Sequence, residues 1–464
     1  MVSKRALLRI GPAIFLLVLQ AAFSFCCTRP SASTYSRLRD YADTIKVVNA
    51  HEHQRWFPEH DGQALNFYTL LAHSYLQADL VSAGAPELKT EAVNQGDLEG
   101  LWKAQGPYLD FSRNTSYYSH FLAGFRLLYG FSDPSFTKAN IQTLSAQIAA
   151  NYTHREGWYE KAFRQAGFEI MFVDQYWNAF NTELDSRYFA LVFNINPLIS
   201  SISDREGLTA KDAPVQTNIY KLAEEEGRPI KTLADYLAAA DRLFQKFQEH
   251  NVVCLKNSQA YGRTLDYAPV PHDDAKALFA RPSGSLSGAE KKALEDFMFH
   301  WIIEKSIACG LSIQIHTGYL AGNGNVLENS WPALLNNLFL KYPQAKFVLF
   351  HGGYPWTGEY AALGKMFPNV YLDLVWLPQI SREAAVRGLD EMLDTVPYNK
   401  FFWGGDCHFI EESTGSLIFG KDVVAQVLAM RVERGFMTED LAREVTRQIF
   451  RVNAIRFFKL KINP

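Results

Sequence analysis

His51, Glu52 and His53 follow a mostly apolar run, Ile45–Val48. If that run is a β-strand, residues two apart point the same way, so the two imidazoles project side by side and Glu52 faces the opposite side. Two imidazoles on one rigid element form half a metal site. Later apolar runs end in similar fashion: Val252–Lys256 in Lys256, Leu311–His316 in His316, Lys346–His351 in His351 and Phe401–Asp406 in Asp406. Four histidines, a lysine and an aspartate suit a divalent cation with nitrogen and oxygen ligands, such as Zn, Fe, Ni or Mn. Water on such a cation has its pKa lowered toward about 7. Asp406 could accept the proton of that water and pass it to a leaving group. Plainer readings exist for each residue. His316 before Thr317-Gly318 and His351 before Gly352-Gly353 could be satisfied loop histidines. Asp406 after Gly404-Gly405 could cap a helix, and Lys256 could be solvated or ion-paired. The shared position of all of them at the ends of apolar runs is what these readings leave unexplained.

Eight short runs supply candidate strands: the one before His51, then Phe168–Asp174, Phe189–Ile195, Val252–Lys256, Leu311–His316, Lys346–His351, Val370–Leu374 and Phe401–Asp406. Helical patterns separate most of them. This order predicts an α/β fold, a (β/α)8 TIM barrel, in which functional residues gather at the C-terminal strand ends. One barrel with insertions can account for the 464 residues. The insertion is expected at about residues 55–166, after the first strand, where helical periodicity and many aromatics replace strand patterns. Residues 258–287 read as a long Pro- and Gly-bearing functional loop.

Hydrophobic residues make up 48% of the chain and charged residues 20%, which allows a large core and excludes disorder. Net charge is −3 with no Lys/Arg-rich run, so nucleic acid is not an expected partner. Cys254, Cys309 and Cys407 are too widely spaced for a disulfide framework or a cysteine-type zinc cluster. At the N-terminus, Lys4, Arg5 and Arg9 precede the apolar run Ile10–Phe25 and then Cys26-Cys27. Residues 1–27 thus have the pattern of an export signal, and the cysteines suggest a bacterial lipoprotein type, although Phe25 is bulky where a small residue is usual. The expectation is an exported protein, periplasmic or anchored to a membrane by lipid, with residues 31–464 forming the barrel unit.

The motifs HEH at 51–53, QIHTG at 314–318, LFHGGYPW at 349–356 and GGD at 404–406 resemble the amidohydrolase superfamily. The resemblance runs from about Ile45 to Phe458 and is greatest to the amidohydrolase-related branch that includes uronate isomerase-like and glutamine-synthetase-fused members. It implies a metal-dependent hydrolase acting on an amide, ester or lactone of a small molecule. His51, His53 and Asp406 would hold one metal ion, with Zn the first expectation. His316 and His351 would complete that site or hold a second ion. Lys256 stands where binuclear members carry a carboxylated, metal-bridging lysine. Asp406 and His351 would act on the water. Tyr261, Arg263, Tyr319, Tyr354 and Trp356 are expected around the substrate, with Arg263 facing an anionic group. The plainer reading makes Arg263 an ion-pair partner of Asp266 or another acid, and the aromatics packing under loops. Uronate isomerisation and metal-dependent decarboxylation are the alternative chemistries, and the isomerase should bring several arginines to the mouth. A binding lipoprotein without turnover is the non-enzymatic alternative.

Overall fold

The computed structural model describes residues 32–55, 65–89, 92–93, 96–208 and 217–464. The expected export signal lies outside them. Eight strands form one sheet in sequence order: β1 (Val47–Glu52), β2 (Phe168–Asp174), β3 (Phe189–Asn194), β4 (Cys254–Asn257), β5 (Ser312–Ile315), β6 (Phe347–Leu349), β7 (Val370–Asp373) and β8 (Phe401–Phe402). Every neighbouring pair is parallel. Backbone bonds from Ala50 to Trp403 (3.0 Å) and from Asp406 to His51 (2.9 Å) join the first strand to the end of the last. The result is the expected (β/α)8 barrel. Its strands are buried almost throughout, as parallel strands covered by helices must be, and this explains their continuous apolar runs.

The chain between β1 and β2 contains six helices among its described residues, from Phe67–Ala72 to Arg155–Ala166. One of them, Ser116–Tyr129, packs closely on the helix Ile410–Glu433 that follows β8. The crossing depends on two glycines. A Cβ on Gly124 would lie 1.9 Å from the Glu411 carbonyl, and one on Gly415 would lie 1.9 Å from the His120 carbonyl. Two buried acids reinforce the contact. Glu411 accepts hydrogen bonds from the Tyr129 and Tyr152 hydroxyls at 2.6 and 2.8 Å. Glu412 accepts one from the Tyr75 backbone at 3.0 Å. Tyr75 in turn donates its hydroxyl to the Asp406 carbonyl, so the insertion braces the end of β8.

Residues 258–287 differ from the expected loop, because they contain the helix His272–Phe279. Pro271 precedes it, and Asp273 and Asp274 occupy its first turn, where carboxylates complement the helix dipole.

Candidate metal centre

Three residues that are not glycine adopt positive φ at consecutive strand ends: His351 (64°) after β6, Trp376 (61°) after β7 and Asp406 (62°) after β8. Such backbone costs roughly 1–3 kcal/mol per residue and clusters at functional sites. It turns His351 and Asp406 toward the barrel axis. Gly352 and Gly353 continue the left-handed turn at φ 57° and 60°, and no larger residue fits there, since a Cβ on Gly353 would meet the Tyr360 Cβ at 2.6 Å and its ring at 2.7 Å.

Asp406 Oδ1 lies 3.3 Å from His51 Nε2 and 3.1 Å from His53 Nε2. Its Oδ2 is 3.9 Å from His351 Nε2, which lies 3.1 Å from His316 Nδ1. The outer nitrogens of these rings fix their tautomers. Gln314 Nε2 donates to the Ala50 carbonyl, so its Oε1 accepts from His51 Nδ1 at 3.2 Å. His53 Nδ1 donates to the Asp174 carbonyl at 2.9 Å, and His351 Nδ1 to the Val375 carbonyl at 3.0 Å. His316 Nε2 donates to the Tyr319 carbonyl at 2.8 Å. Each inward nitrogen is therefore left with a lone pair. His316 and His351 face each other as two acceptors, and His51 and His53 face a carboxylate. Acceptors gathered in this way need a cation between them, and the donor set fits a divalent metal.

The electrostatics agree with the geometry. Burial lowers His51 and His316 to about 3, with the Lys256 charge adding to it. Burial and the neighbouring His316 hold His351 well below its ordinary value. These imidazoles stay neutral, the form that ligates metal. Burial pulls His53 down as well, but Asp406 outweighs it and holds that ring above its ordinary value. Burial alone would raise Asp406, yet the two histidines bring it well below the usual carboxylate range. Lys256 is buried, with Nζ 3.4 Å from His51 Nε2 and 3.7 Å from the centre of the Phe350 ring. Burial lowers its pKa.

Glu52 faces away from this cluster, as alternation along β1 requires. Its carboxylate takes hydrogen bonds from Asn49 at 2.5 Å, Gln54 at 3.3 Å and the Cys407 backbone at 2.6 Å. It thereby ties β1 to the turn that carries Asp406.

A cavity of about 410 Å³ opens over the centre, lined in part by Tyr75, Tyr176, Asn194, Ser258, Tyr261 and His408. That is the size range of small-molecule sites. Of the five residues expected around the substrate, Tyr261 lines it. Tyr319 packs on Trp376 at 5.5 Å and Tyr354 on Tyr319 at 6.4 Å, and neither they nor Trp356 are among the lining residues. Arg263 is turned away. Its guanidinium pairs with Glu295 at 3.0 Å and with Asp296, and it also reaches the Asp266 carbonyl at 3.2 Å. A larger groove, about 820 Å³, lies at the opposite end of the strands around Lys346 and Lys461. It brings no second group of metal-type donors together among the described residues.

Three further polar residues lie at the mouth, two of them at strand ends. Asp174 closes β2 and Asn194 closes β3, and Asn194 Nδ2 donates to both Asp174 oxygens at 3.0 and 3.1 Å. His408 stacks on His53 at 5.4 Å. Asp174 could group with His51 and His53 around an ion, but its nearer oxygen lies 3.9 Å from His53 Nδ1, the nitrogen whose proton is already committed. Asp406, facing both Nε2 atoms, is the better ligand.

Residues 286–460 match the family model described as amidohydrolase. Over those residues, from the helix before β5 to the C-terminal helices, the chain is similar to the amidohydrolase family. Among curated proteins, the chain is 29% identical over 265 residues to Protein fluG of Emericella nidulans. That match covers 51% of the chain and 30% of the fungal protein, so the chain spans less than a third of that relative. Two solved structures share the fold. Uronate isomerase of Thermotoga maritima superposes with a TM-score of 0.74 at 16% identity, covering 92% of this chain and 97% of that one. Glucuronate isomerase of Caulobacter crescentus gives 0.71 at 17% identity, covering 95% and 98%.

Proposed function

We propose that the chain is a metal-dependent hydrolase of an amide, ester or lactone bond in a small molecule. The observation that carries this reading is the convergence of four imidazoles on an ionised Asp406 beneath a cavity of small-molecule size. His51, His53 and Asp406 would hold the cation, with Zn the first expectation, and His316 would complete the shell. A divalent ion there supplies Lewis acidity and lowers the pKa of water. Asp406 takes the proton of the attacking water on Oδ2, the oxygen turned from His51 and His53, and delivers it to the leaving atom. His351, neutral and 3.9 Å from that oxygen, accepts a hydrogen bond from the water and orients it. One ion suits Lys256 as a free amine, and a second requires its carboxylation.

The isomerase reading calls for several arginines to clamp a sugar acid. Lys256 is the sole cation of Lys or Arg type among the described lining residues, and Arg263 is held elsewhere by two carboxylates. Metal-loaded protein assayed against N-acyl amino acids, esters, lactones and uronates tests the choice. Hydrolysis of one of the first three classes, lost in D406N, is the expected result. Turnover of uronates with no hydrolysis replaces the hydrolase with the isomerase.

A further inference from the structure

The four inward histidines are not held alike. His51 is held through Gln314 on β5, His53 by the Asp174 carbonyl at the end of β2, and His351 by the Val375 carbonyl just beyond β7. Each of these partners belongs to another strand or its end. His316 instead donates its Nε2 proton to the Tyr319 carbonyl, three residues along its own loop, at 2.8 Å. A loop carbonyl orients a ligand only as firmly as the loop itself is held.

That hold is a clamp on Gly318, the residue before Tyr319. The Gly318 N–H donates to the Ser330 carbonyl at 2.9 Å. The Ser330 hydroxyl donates back to the Gly318 carbonyl, with the Leu327 carbonyl also in reach at 2.7 Å. Ser330 is fully buried and is not among the residues that line the cavity. The Gly318 carbonyl shares a rigid peptide plane with the Tyr319 nitrogen, so the clamp sets the direction in which Tyr319 leaves. On its other side Gly318, at φ 78°, lies against the turn that carries His351. A Cβ there would sit 2.6 Å from the Tyr354 carbonyl oxygen, and the neighbouring Thr317 hydroxyl donates to the Phe350 carbonyl at 2.8 Å. Past the clamp the loop is less crowded. A Cβ on Gly322 or Gly324 would meet nothing within 4 Å, and Asn323 reaches the Ala78 carbonyl at 3.2 Å on the exposed side.

We propose that Ser330 is a positioning residue for His316: by clamping Gly318 it fixes the Tyr319 carbonyl, which keeps the ring proton on Nε2 and the Nδ1 lone pair facing the centre. Its place in the chemistry rests on the reading that His316 ligates the metal. Without the clamp the Tyr319 carbonyl can turn away and leave a buried N–H without an acceptor. The ring then gains by carrying its proton on Nδ1, because His351 Nε2, 3.1 Å away, accepts it. The two histidines would bond to each other, and neither of the facing nitrogens would be free for a cation.

Nitrogen NMR of isotope-labelled histidine rings in the metal-free full chain reads the tautomer, and chelator competition on the zinc-loaded chain reads the affinity. Wild-type His316 is expected to carry its proton on Nε2. S330A should shift that proton toward Nδ1 and weaken zinc binding by about 10–100-fold, the range for groups that orient a metal-bound histidine. S330T, which keeps the hydroxyl, should hold both near the wild type. N323A, in the same loop but outside the clamp, should match the wild type in both. S330C, a weaker donor, should fall between and serves if S330A fails to fold. A wild-type His316 protonated on Nδ1, or a wild-type tautomer in folded S330A whatever its affinity, overturns the positioning role. So does an equal tautomer shift in N323A. A shift to Nδ1 in S330A with zinc affinity unchanged keeps the clamp and counts against His316 as a ligand.

Discussion

Replacing Gln314 with leucine should weaken metal binding without touching a ligand. Gln314 is fully buried on β5. Its Oε1 takes the His51 Nδ1 proton at 3.2 Å, and its Nε2 is anchored to the Ala50 carbonyl at 2.8 Å. Leucine has similar bulk and no acceptor. The Nδ1 proton then has nowhere to go in a buried site, and the imidazole gains by moving it to Nε2, the nitrogen that must ligate. One buried, unpaired donor costs about 1–3 kcal/mol. Outer-shell partners of metal-bound histidines are worth about 10–100-fold in affinity, or about 1.4–2.7 kcal/mol. The two figures agree. Zinc affinity measured by competition with a chelator of known strength should fall by that factor in Q314L. Q314E restores an acceptor and should recover most of the loss. An unchanged affinity in folded Q314L, or an equal loss in Q314E, refutes the assignment of tautomer and ligand to His51.

Burial raises the Asp373 carboxyl to about 8 from 3.8, and its Oδ2 has no partner. Between those values the folded chain holds a proton that the unfolded chain has released, so unfolding free energy falls as pH rises through the window. D373N, which imitates the protonated acid, should flatten that slope and raise the thermal midpoint most near its alkaline end; identical pH profiles for the two proteins contradict this. G124A should destabilise the chain by about 1–3 kcal/mol or more, since its methyl would overlap the Glu411 carbonyl. Chemical denaturation measures this, and a midpoint equal to the wild type's shows that the two helices separate freely.

Most of the mouth was legible because one rule covers it. A polar residue that closes an apolar run lies at the C-terminal end of a barrel strand, and His51, Lys256, His316, His351 and Asp406 all follow that pattern. Asp174 and Asn194 follow it equally and could have been found the same way. His408 could not, since its place beside His53 depends on how the chain turns after Asp406. Arg263 shows the limit more plainly. Its partners, Glu295 and Asp296, sit on a helix about thirty residues later, and nothing local distinguishes a committed arginine from a free one. The directions of the His51, His53 and His351 lone pairs were likewise unreadable, because they are set by carbonyls and an amide remote in sequence. The helix His272–Phe279 was hidden in a Pro- and Gly-bearing stretch because eight residues carry little periodicity.

Metal content tests the centre most directly. Wild-type protein, H51A and D406N, purified alike, are analysed by mass spectrometry of the elements. The geometry of His51, His53 and Asp406 predicts a divalent metal at one or two ions per chain in the wild type and little or none in either folded variant. Full metal content in both variants contradicts the site.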